Sequence, residues 1–302
     1  MPSSAGRAPG ICQVCETDRH AAVIMDFGDY VVSRCRRCGF VYLGGDRDRA
    51  GEHGRYRKDQ FTDGYLRLFD PEVIAGEQVE SLRGILDRAG APLPGLGDGA
   101  PALDIGCARG WFLRGLREAG WPGPLTGVDI SREMTDWGRE AFGLDLRATP
   151  VEDASLPSGG FGLVTMWDVL EHVPDPRAVA ARILDLLRPG GWAVIEVPAE
   201  RTLFRVLSRL AYRATGGRLR RPARRIYHPT HLSYFTAGSL RRLLAGLGAE
   251  GITLRTKEAH VTRFGLGRYR WPARAAIRTV SLLDRALGME AKLLCAFRRP
   301  PA

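Results

Sequence analysis

The sequence has 302 residues, 44% of them hydrophobic and 26% charged, a balance that fits one main soluble core plus a small satellite domain. No apolar run follows Met1 to Gly10, and no stretch reaches the ~18 apolar residues of a membrane span, so a cytoplasmic location is expected. The net charge is +10, but only Lys58, Lys257 and Lys292 are lysines among 44 basic residues; GC-rich codon usage produces such an arginine skew, and charge alone does not assign a nucleic-acid partner.

The first signal along the chain is Cys12-x2-Cys15, a gap of 19 residues, then Cys35-x2-Cys38, the spacing of a two-knuckle zinc site. Each pair sets two thiolates on one side of a tight turn, and two such turns complete a tetrahedral shell with no open position, which implies a structural ion. Gly39 suits a turn of positive φ. Ala21 to Phe27 and Asp29 to Ser33 read as a hairpin about Gly28-Asp29, and Phe40 to Leu43 as the strand leaving the ribbon. A segment of ~45 residues buries little apolar surface, so metal ligation is expected to supply most of its folding energy. Disulfides in a secreted domain are the rival reading, disfavoured without a leader. Cys107 and Cys295 read as small buried residues. The expected division is a zinc ribbon over 1–45, a helical lead-in and linker over 46–98, and a larger domain over 99–302 with a basic insertion at 199–235.

The lead-in contains a helix from Asp70 to Ala89 with Val73, Ile74, Val79, Leu82, Ile85 and Leu86 expected inside, then a linker from Ala91 to Gly97. Ala102 to Ile105 is a short apolar strand, followed by the loop Gly106-Cys107-Ala108-Arg109-Gly110 and the helical pattern Trp111 to Ala119. The next strand, Leu125 to Asp129, ends in an acid nineteen residues after Gly110. Glycines that admit a ligand to the backbone, plus an acid that can take a ribose diol, describe a nucleotide-binding α/β unit, although the full G-x-G-x-x-G is absent. Glu152-Asp153 stand at the expected end of a third strand. Phe161 to Trp167 is a fourth, leading into Asp168-Val169-Leu170-Glu171-His172-Val173-Pro174, a helix, Leu187-Arg188-Pro189-Gly190-Gly191 and a strand from Trp192 to Val197.

Ala199 to Arg225 holds nine arginines and one acid, Glu200. It reads as a helix with Leu203, Phe204, Val206, Leu207, Leu210 and Ala211 on its apolar side, then a flexible basic stretch from Thr215. His228 and His231 follow among Tyr227, Tyr234 and Phe235. A helix from Ser239 to Leu247, a strand from Gly251 to Lys257, a Gly/Arg-rich loop from His260 to Tyr269, a helix from Trp271 to Leu287 and a strand from Ala291 to Phe297 complete the chain. There is no internal repeat.

The ordered series Leu103-Asp104-Ile105-Gly106-Cys107, Gly127-Val128-Asp129, Glu171-His172-Val173 and Arg188-Pro189-Gly190-Gly191 resembles class I S-adenosylmethionine (SAM) dependent methyltransferases over about residues 100 to 260, most of all the ubiquinone-pathway small-molecule type. With the ribbon, the architecture is similar to that of deoxysugar C-methyltransferases, without the further C-terminal domain they generally carry. The resemblance implies a Rossmann-like α/β fold with a seven-stranded, mostly parallel sheet. It also implies that Asp104, Gly106, Cys107 and Gly110 border the methionine part of SAM, that Asp129 with Ile130 holds the ribose, and that Glu152 or Asp153 meets the adenine. Ala108 stands where the family commonly has glycine. Trp167 is a further cofactor-side candidate, with core packing the simpler role.

SAM carries an already activated methyl group, so the protein mainly orients the acceptor; an acceptor of high pKa also needs a base. His172 leads, being at the strand end where α/β sheets gather ligands; His231 and then His228 follow, with packing or loop bracing as the alternative for each. Zinc on these histidines is not favoured, because the ribbon holds a full ligand set. The expected partner is a small-molecule acceptor methylated on oxygen or carbon. An acidic carrier protein, a nucleotide-linked substrate or peripheral membrane contact are roles for the arginines, alongside a merely solvated face. An RNA methyltransferase is an alternative that lacks support from an Asn-Pro-Pro-aromatic motif, since Trp167-Asp168-Val169-Leu170 fills that place. A non-catalytic SAM-binding docking protein is the other.

Overall fold

A computed structural model describes residues 10–44, 70–93, 99–258, 270–289 and 291–301. The expected loop from His260 to Tyr269, the lead-in before Asp70 and most of the linker after Leu93 lie outside the described residues.

Mostly apolar runs, joined by one more polar edge segment, become parallel strands whose faces need cover. They are β4 (Ala102–Ile105), β5 (Leu125–Asp129), β6 (Asp145–Ala148), β7 (Phe161–Trp167) and β8 (Leu187–Pro198). With β10 (Glu250–Lys257) and β11 (Lys292–Arg298) they form a seven-stranded sheet in the order β10-β11-β8-β7-β4-β5-β6. Only β11 runs antiparallel to its neighbours. The chain leaves β4 toward β5 and β6, then returns to lay β7 on the other side of β4, which makes the crevice at the carboxyl ends of β4 and β7 the switch point where such sheets take ligands.

Helices cover both faces: α1 (Pro71–Arg88), α2 (Trp111–Glu118), α3 (Arg132–Phe142) and α4 (Pro176–Leu186). Asp70 caps α1 through the amide of Glu72, Ser131 caps α3, and Asp175 caps α4 through two amides. In α1, Val79, Leu82, Ile85 and Leu86 are buried as expected, but Ile74 is half-buried and Val73 is 45% exposed. Gly123, Gly127 and Gly138 sit where an added Cβ would fall within 2.6 Å of another atom, so these helix and strand approaches require glycine.

A second, four-stranded antiparallel sheet has the order β1 (Ala21–Asp26), β2 (Val31–Cys35), β3 (Val41–Gly44) and β9 (Ser233–Tyr234). Its last strand belongs to the basic insertion, so the cysteine-bearing hairpin is finished by a segment almost two hundred residues away. Met25, Phe27, Tyr30, Val32 and Val41 share one core with Ala223, Tyr227 and Tyr234 of the insertion. Cys12, Val14, Cys35, Phe40 and Tyr42 instead join the core beneath the large sheet.

The insertion departs from its sequence reading in two ways. The stretch after Thr215 is not flexible throughout, because Arg220–Ile226 forms a helix, α6, pinned by ion pairing of Arg224 with Asp29 at 2.6 Å. The longer helix α5 (Leu203–Ala214) turns the other way round: Phe204, Leu207 and Leu210 are exposed, and Arg205 and Ser208 are buried. The helix α7 (Ala237–Gly246), closed by a Thr236–Ser239 capping box, and α8 (Trp271–Ala286) end the series.

Candidate active site

The loop after β4 is built by backbone geometry. Gly106 and Gly110 have φ of 77° and 78°, and a Cβ on Gly106 would lie 2.2 Å from Val169 Cγ2. Ala108 also has positive φ, 47°. Its amide donates to Asp129 Oδ2 at 2.9 Å, and the Ser131 amide donates to Oδ1 at 2.8 Å. Two amides orient the carboxylate while leaving lone pairs toward the crevice. Ile130 is half-buried beside it. Asp104 is buried, accepts from the Thr165 hydroxyl at 2.7 Å, and is pushed up to about 8 by burial against that hydrogen bond, with Asp129 adding to the rise. Cys107 lies buried under Gly127, and Trp167 packs on Phe112 at 5.1 Å within the core. Glu152 and Asp153 are exposed in the turn that follows β6, four residues past its end.

Opposite this loop, the end of β7 carries a polar cluster. His172 Nδ1 is 2.7 Å from the Thr230 carbonyl, which only accepts, so Nδ1 holds the proton and Nε2 faces Glu171 Oε1 at 3.8 Å. His231 meets the His172 ring edge to face at 4.6 Å between centroids. Burial holds both imidazoles below their ordinary value, and for His231 the positive neighbours add to this. His228 is exposed and bonded to the Thr230 hydroxyl at 2.9 Å; it makes no ring contact with the other two among the described residues, although its charge acts on both.

Glu171 is 1% exposed, and neither carboxylate oxygen has a hydrogen-bond partner among the described residues. Burial, followed by the nearby Asp168, raises it well above the carboxylate range. Its carbonyl accepts from the amides of Leu232 and Ser233 at 2.7 and 3.1 Å, so the insertion clamps the Glu171-His172 turn directly. From the other side, Gln13 between the first two cysteines donates to Pro174, and Glu16 pairs with Arg177 at 3.1 Å. Beside the cluster, Lys292 pairs with Asp168, itself at φ 54°, and with Glu196 at 3.6 Å; Lys257 bonds Glu196 at 2.9 Å. Burial opposes the charge on Lys292, but these carboxylates raise it above the ordinary lysine value.

The reading of the sequence missed Glu171, Asp168, Lys292 and Lys257 as parts of the site. A signal was available: in a chain with three lysines, both of those among the described residues meet at Glu196.

Two sets of side chains bring ligand atoms within 4.8 Å of one another: Cys12, Cys15, Cys35 and Cys38, and Glu171, His172 and His231. In the first, the Cys12 and Cys38 sulfurs are 3.6 Å apart, near the ~3.8 Å edge of a tetrahedron with ~2.3 Å zinc–sulfur bonds. All six cysteines are free.

A sheet of this order with its glycine loop and strand-end acids defines the class I SAM-dependent methyltransferase fold. A profile of the methyltransferase domain matches residues 74–254, and the protein belongs to that family. A ubiquinone biosynthesis O-methyltransferase of Bordetella avium is 34% identical over 106 residues, covering 33% of this chain and 43% of the relative. One of Xanthomonas axonopodis pv. citri is 35% identical over 99 residues, covering 31% and 41%. The matched segment thus spans less than half the length of these curated relatives. Among solved structures, a Haemonchus contortus phosphoethanolamine N-methyltransferase 2 with SAM has a TM-score of 0.52 at 16% identity, covering 91% of this chain and 70% of that one. A Thermotoga maritima SAM-dependent methyltransferase has 0.50 at 16% identity, covering 79% and 96%; both likenesses concern the fold alone. No helix among the described residues is long and apolar enough to cross a membrane.

Proposed function

We propose that the protein methylates an oxygen or carbon of a small-molecule acceptor, such as a sugar, natural-product or lipid-like intermediate, in the cytoplasm. The names of the similar ubiquinone-pathway enzymes favour oxygen. The observation that carries the reading is the pairing of His172 and His231, both held neutral by burial, across the switch-point crevice from the Asp104, Gly106 and Asp129 loop.

That loop suits SAM chemically: Gly106 and Gly110 hold the left-handed backbone of a tight turn, and Asp129 is oriented by two amides toward a diol. When bound, SAM supplies a sulfonium-activated methyl group. The chain's own task is to hold the acceptor in line and to take its proton. His172 Nε2 is the accepting atom, because the Thr230 carbonyl fixes the proton on Nδ1. The imidazolium so formed stands 3.8 Å from the Glu171 carboxyl, whose proton burial and Asp168 otherwise retain, so charge on His172 favours ionisation of Glu171. His231 walls the same space, and the buried ammonium of Lys292 favours developing negative charge on the acceptor.

Zinc in the four-cysteine cluster has a structural role in this reading, as the sulfurs leave no open position. An acidic carrier protein, a nucleotide-linked substrate or peripheral membrane contact remain compatible roles for the exposed arginines.

The test is release of S-adenosylhomocysteine (SAH) from candidate acceptors by wild type and His172→Ala in parallel. Expected is small-molecule turnover that falls by about 10²–10⁴-fold in the variant at unchanged SAM affinity. Turnover confined to structured RNA sinks the proposal.

A further inference from the structure

The inward face of α5 is unusual for a helix that covers a core. Its buried residues are Arg205 and Ser208, 8% and 7% exposed, while Leu207 and Leu210 are 53% and 57% exposed. Three-residue spacing puts Arg205 and Ser208 on one face, and each keeps a polar atom with no hydrogen-bond partner among the described residues, Arg205 Nε and Ser208 Oγ.

The guanidinium is fixed in other respects. Its Nη1 donates to the Ala199 carbonyl, and its central carbon lies 4.6 Å from the Tyr234 ring centroid and 5.9 Å from that of Tyr227. Stacking occupies the face of the guanidinium and leaves its N–H edge for an in-plane acceptor. Arg205 makes no ion pair among the described residues; the nearby buried carboxylate, Glu200, is taken by Arg209 and the Tyr227 hydroxyl. A buried guanidinium without a counter-anion is costly, and an orphaned donor adds to the cost. The Ala199 carbonyl and the two tyrosine rings offset part of this cost, but no described carboxylate pairs with Arg205 and its Nε is left without a partner.

The cation also faces the acceptor side. Tyr234 lies 5.8 Å from His231, which contacts His172, and the Arg205 charge is among the causes, after burial and His172, that keep His231 neutral.

We propose that Arg205, with Ser208 beside it, anchors an oxyanion carried by the methyl acceptor, a carboxylate or a phosphate. The proposal rests on the methyltransferase reading of this site and names the substrate class within it. A charge-assisted contact remote from the reacting atom gives the acceptor a fixed orientation toward His172.

Calorimetric titration with benzoate, phenyl phosphate and neutral benzamide tests it on the full zinc-loaded chain, with and without SAH, for wild type, R205M and R205K. Wild type should bind an anionic probe, R205M should bind it at least tenfold more weakly, R205K should lie between, and benzamide should not distinguish them. The preferred anion tells phosphate from carboxylate. Because the ligand-free cation has no counter-anion among the described residues and methionine keeps the packing on the tyrosine rings, the melting temperature of R205M should be unchanged or higher. The proposal is overturned if wild type binds neither anion, if R205M binds them equally well, or if R205M melts lower and loses SAH affinity, which would make Arg205 a structural cation. Wild type that binds an anion but no SAH keeps the anchor and removes the methyltransferase reading instead.

Discussion

The seven-stranded sheet and the four-stranded sheet are assembled by opposite routes. In the large sheet, β4, β5 and β6 follow one another in sequence and space, and two of their ends carry groups proposed to meet SAM: Gly106 after β4, Asp129 at the end of β5. In the small sheet, β3 pairs with β9 from the far part of the chain, and that junction places Thr230, His231 and Ser233 against Glu171-His172. The proposed cofactor half therefore stands mainly on the apolar cores of the large sheet, one of which also takes in Cys12, Cys35 and Phe40 of the ribbon. The acceptor half stands on cross-links: four sulfurs, one short strand pair and a shared cluster around Tyr30 and Tyr227.

This division makes the halves separable by experiment, and the zinc proposed for the four cysteines is the strongest lever. Chelation, or Cys35→Ser, should reduce turnover by more than about 100-fold while SAM affinity changes by less than about threefold, since ligation energy is folding energy for the ribbon. Metal analysis with calorimetry on the same sample checks it. Simultaneous loss of SAM binding breaks the comparison, because the large sheet would then depend on the ribbon. The reverse lesion is Gly106→Ala. Left-handed backbone costs a residue with a Cβ about 1–2 kcal/mol, and the overlap with Val169 adds to it, so SAM should bind about 10–100-fold more weakly with zinc content unchanged.

The two halves should also titrate differently. Burial depresses His172 and His231, so the unfolded chain binds more protons than the folded one below about pH 6.5. Their contribution to stability is complete above that value and is lost as pH falls toward their lower folded values, and kcat should keep its plateau through pH 6.5 and drop only below it. Asp104 behaves oppositely: its folded value is raised to about 8, so its contribution is present at low pH and lost as pH rises through 8. If the ionised carboxylate is the form that accepts SAM, affinity at pH 7 should be up to about tenfold lower than at pH 9, with the competent form a minority. Parallel pH profiles of SAM affinity and kcat that move together would erase the distinction.

What the sequence revealed follows the same line. The cofactor loop was legible because its signals are local: an apolar run, glycines at fixed offsets, an acid at the next strand end. The cysteine spacing was equally local. The insertion was misread because the apolar stripe of α5 has helical period, and period does not say which face turns inward. Here Arg205 and Ser208 turn inward, toward a polar neighbourhood assembled from Tyr227, Tyr234 and the β7 loop. The pairing of β3 with Ser233–Tyr234 left no trace at either segment, since two residues of strand carry no pattern of their own.

The smallest expected effect is the most discriminating about the cofactor half, because it sets two backbone terms against each other. Ala108 is held at φ 47° between Gly106 and Gly110, and its amide donates to Asp129. Ala108→Gly keeps that amide and removes about 1–2 kcal/mol of left-handed strain, while glycine's extra freedom in the unfolded chain costs roughly 0.5–1 kcal/mol. The strain term is the larger, so the variant should be more stable by about 0.5–1 kcal/mol, a rise of roughly 1–4 °C in melting temperature for a chain of this size. SAM affinity should stay within about threefold, and zinc content and acceptor-side turnover should not change. A fall in melting temperature would mean that the Ala108 methyl packs against the loop strongly enough to outweigh its strain, and that the cofactor loop is held by side-chain packing as well as by glycine geometry.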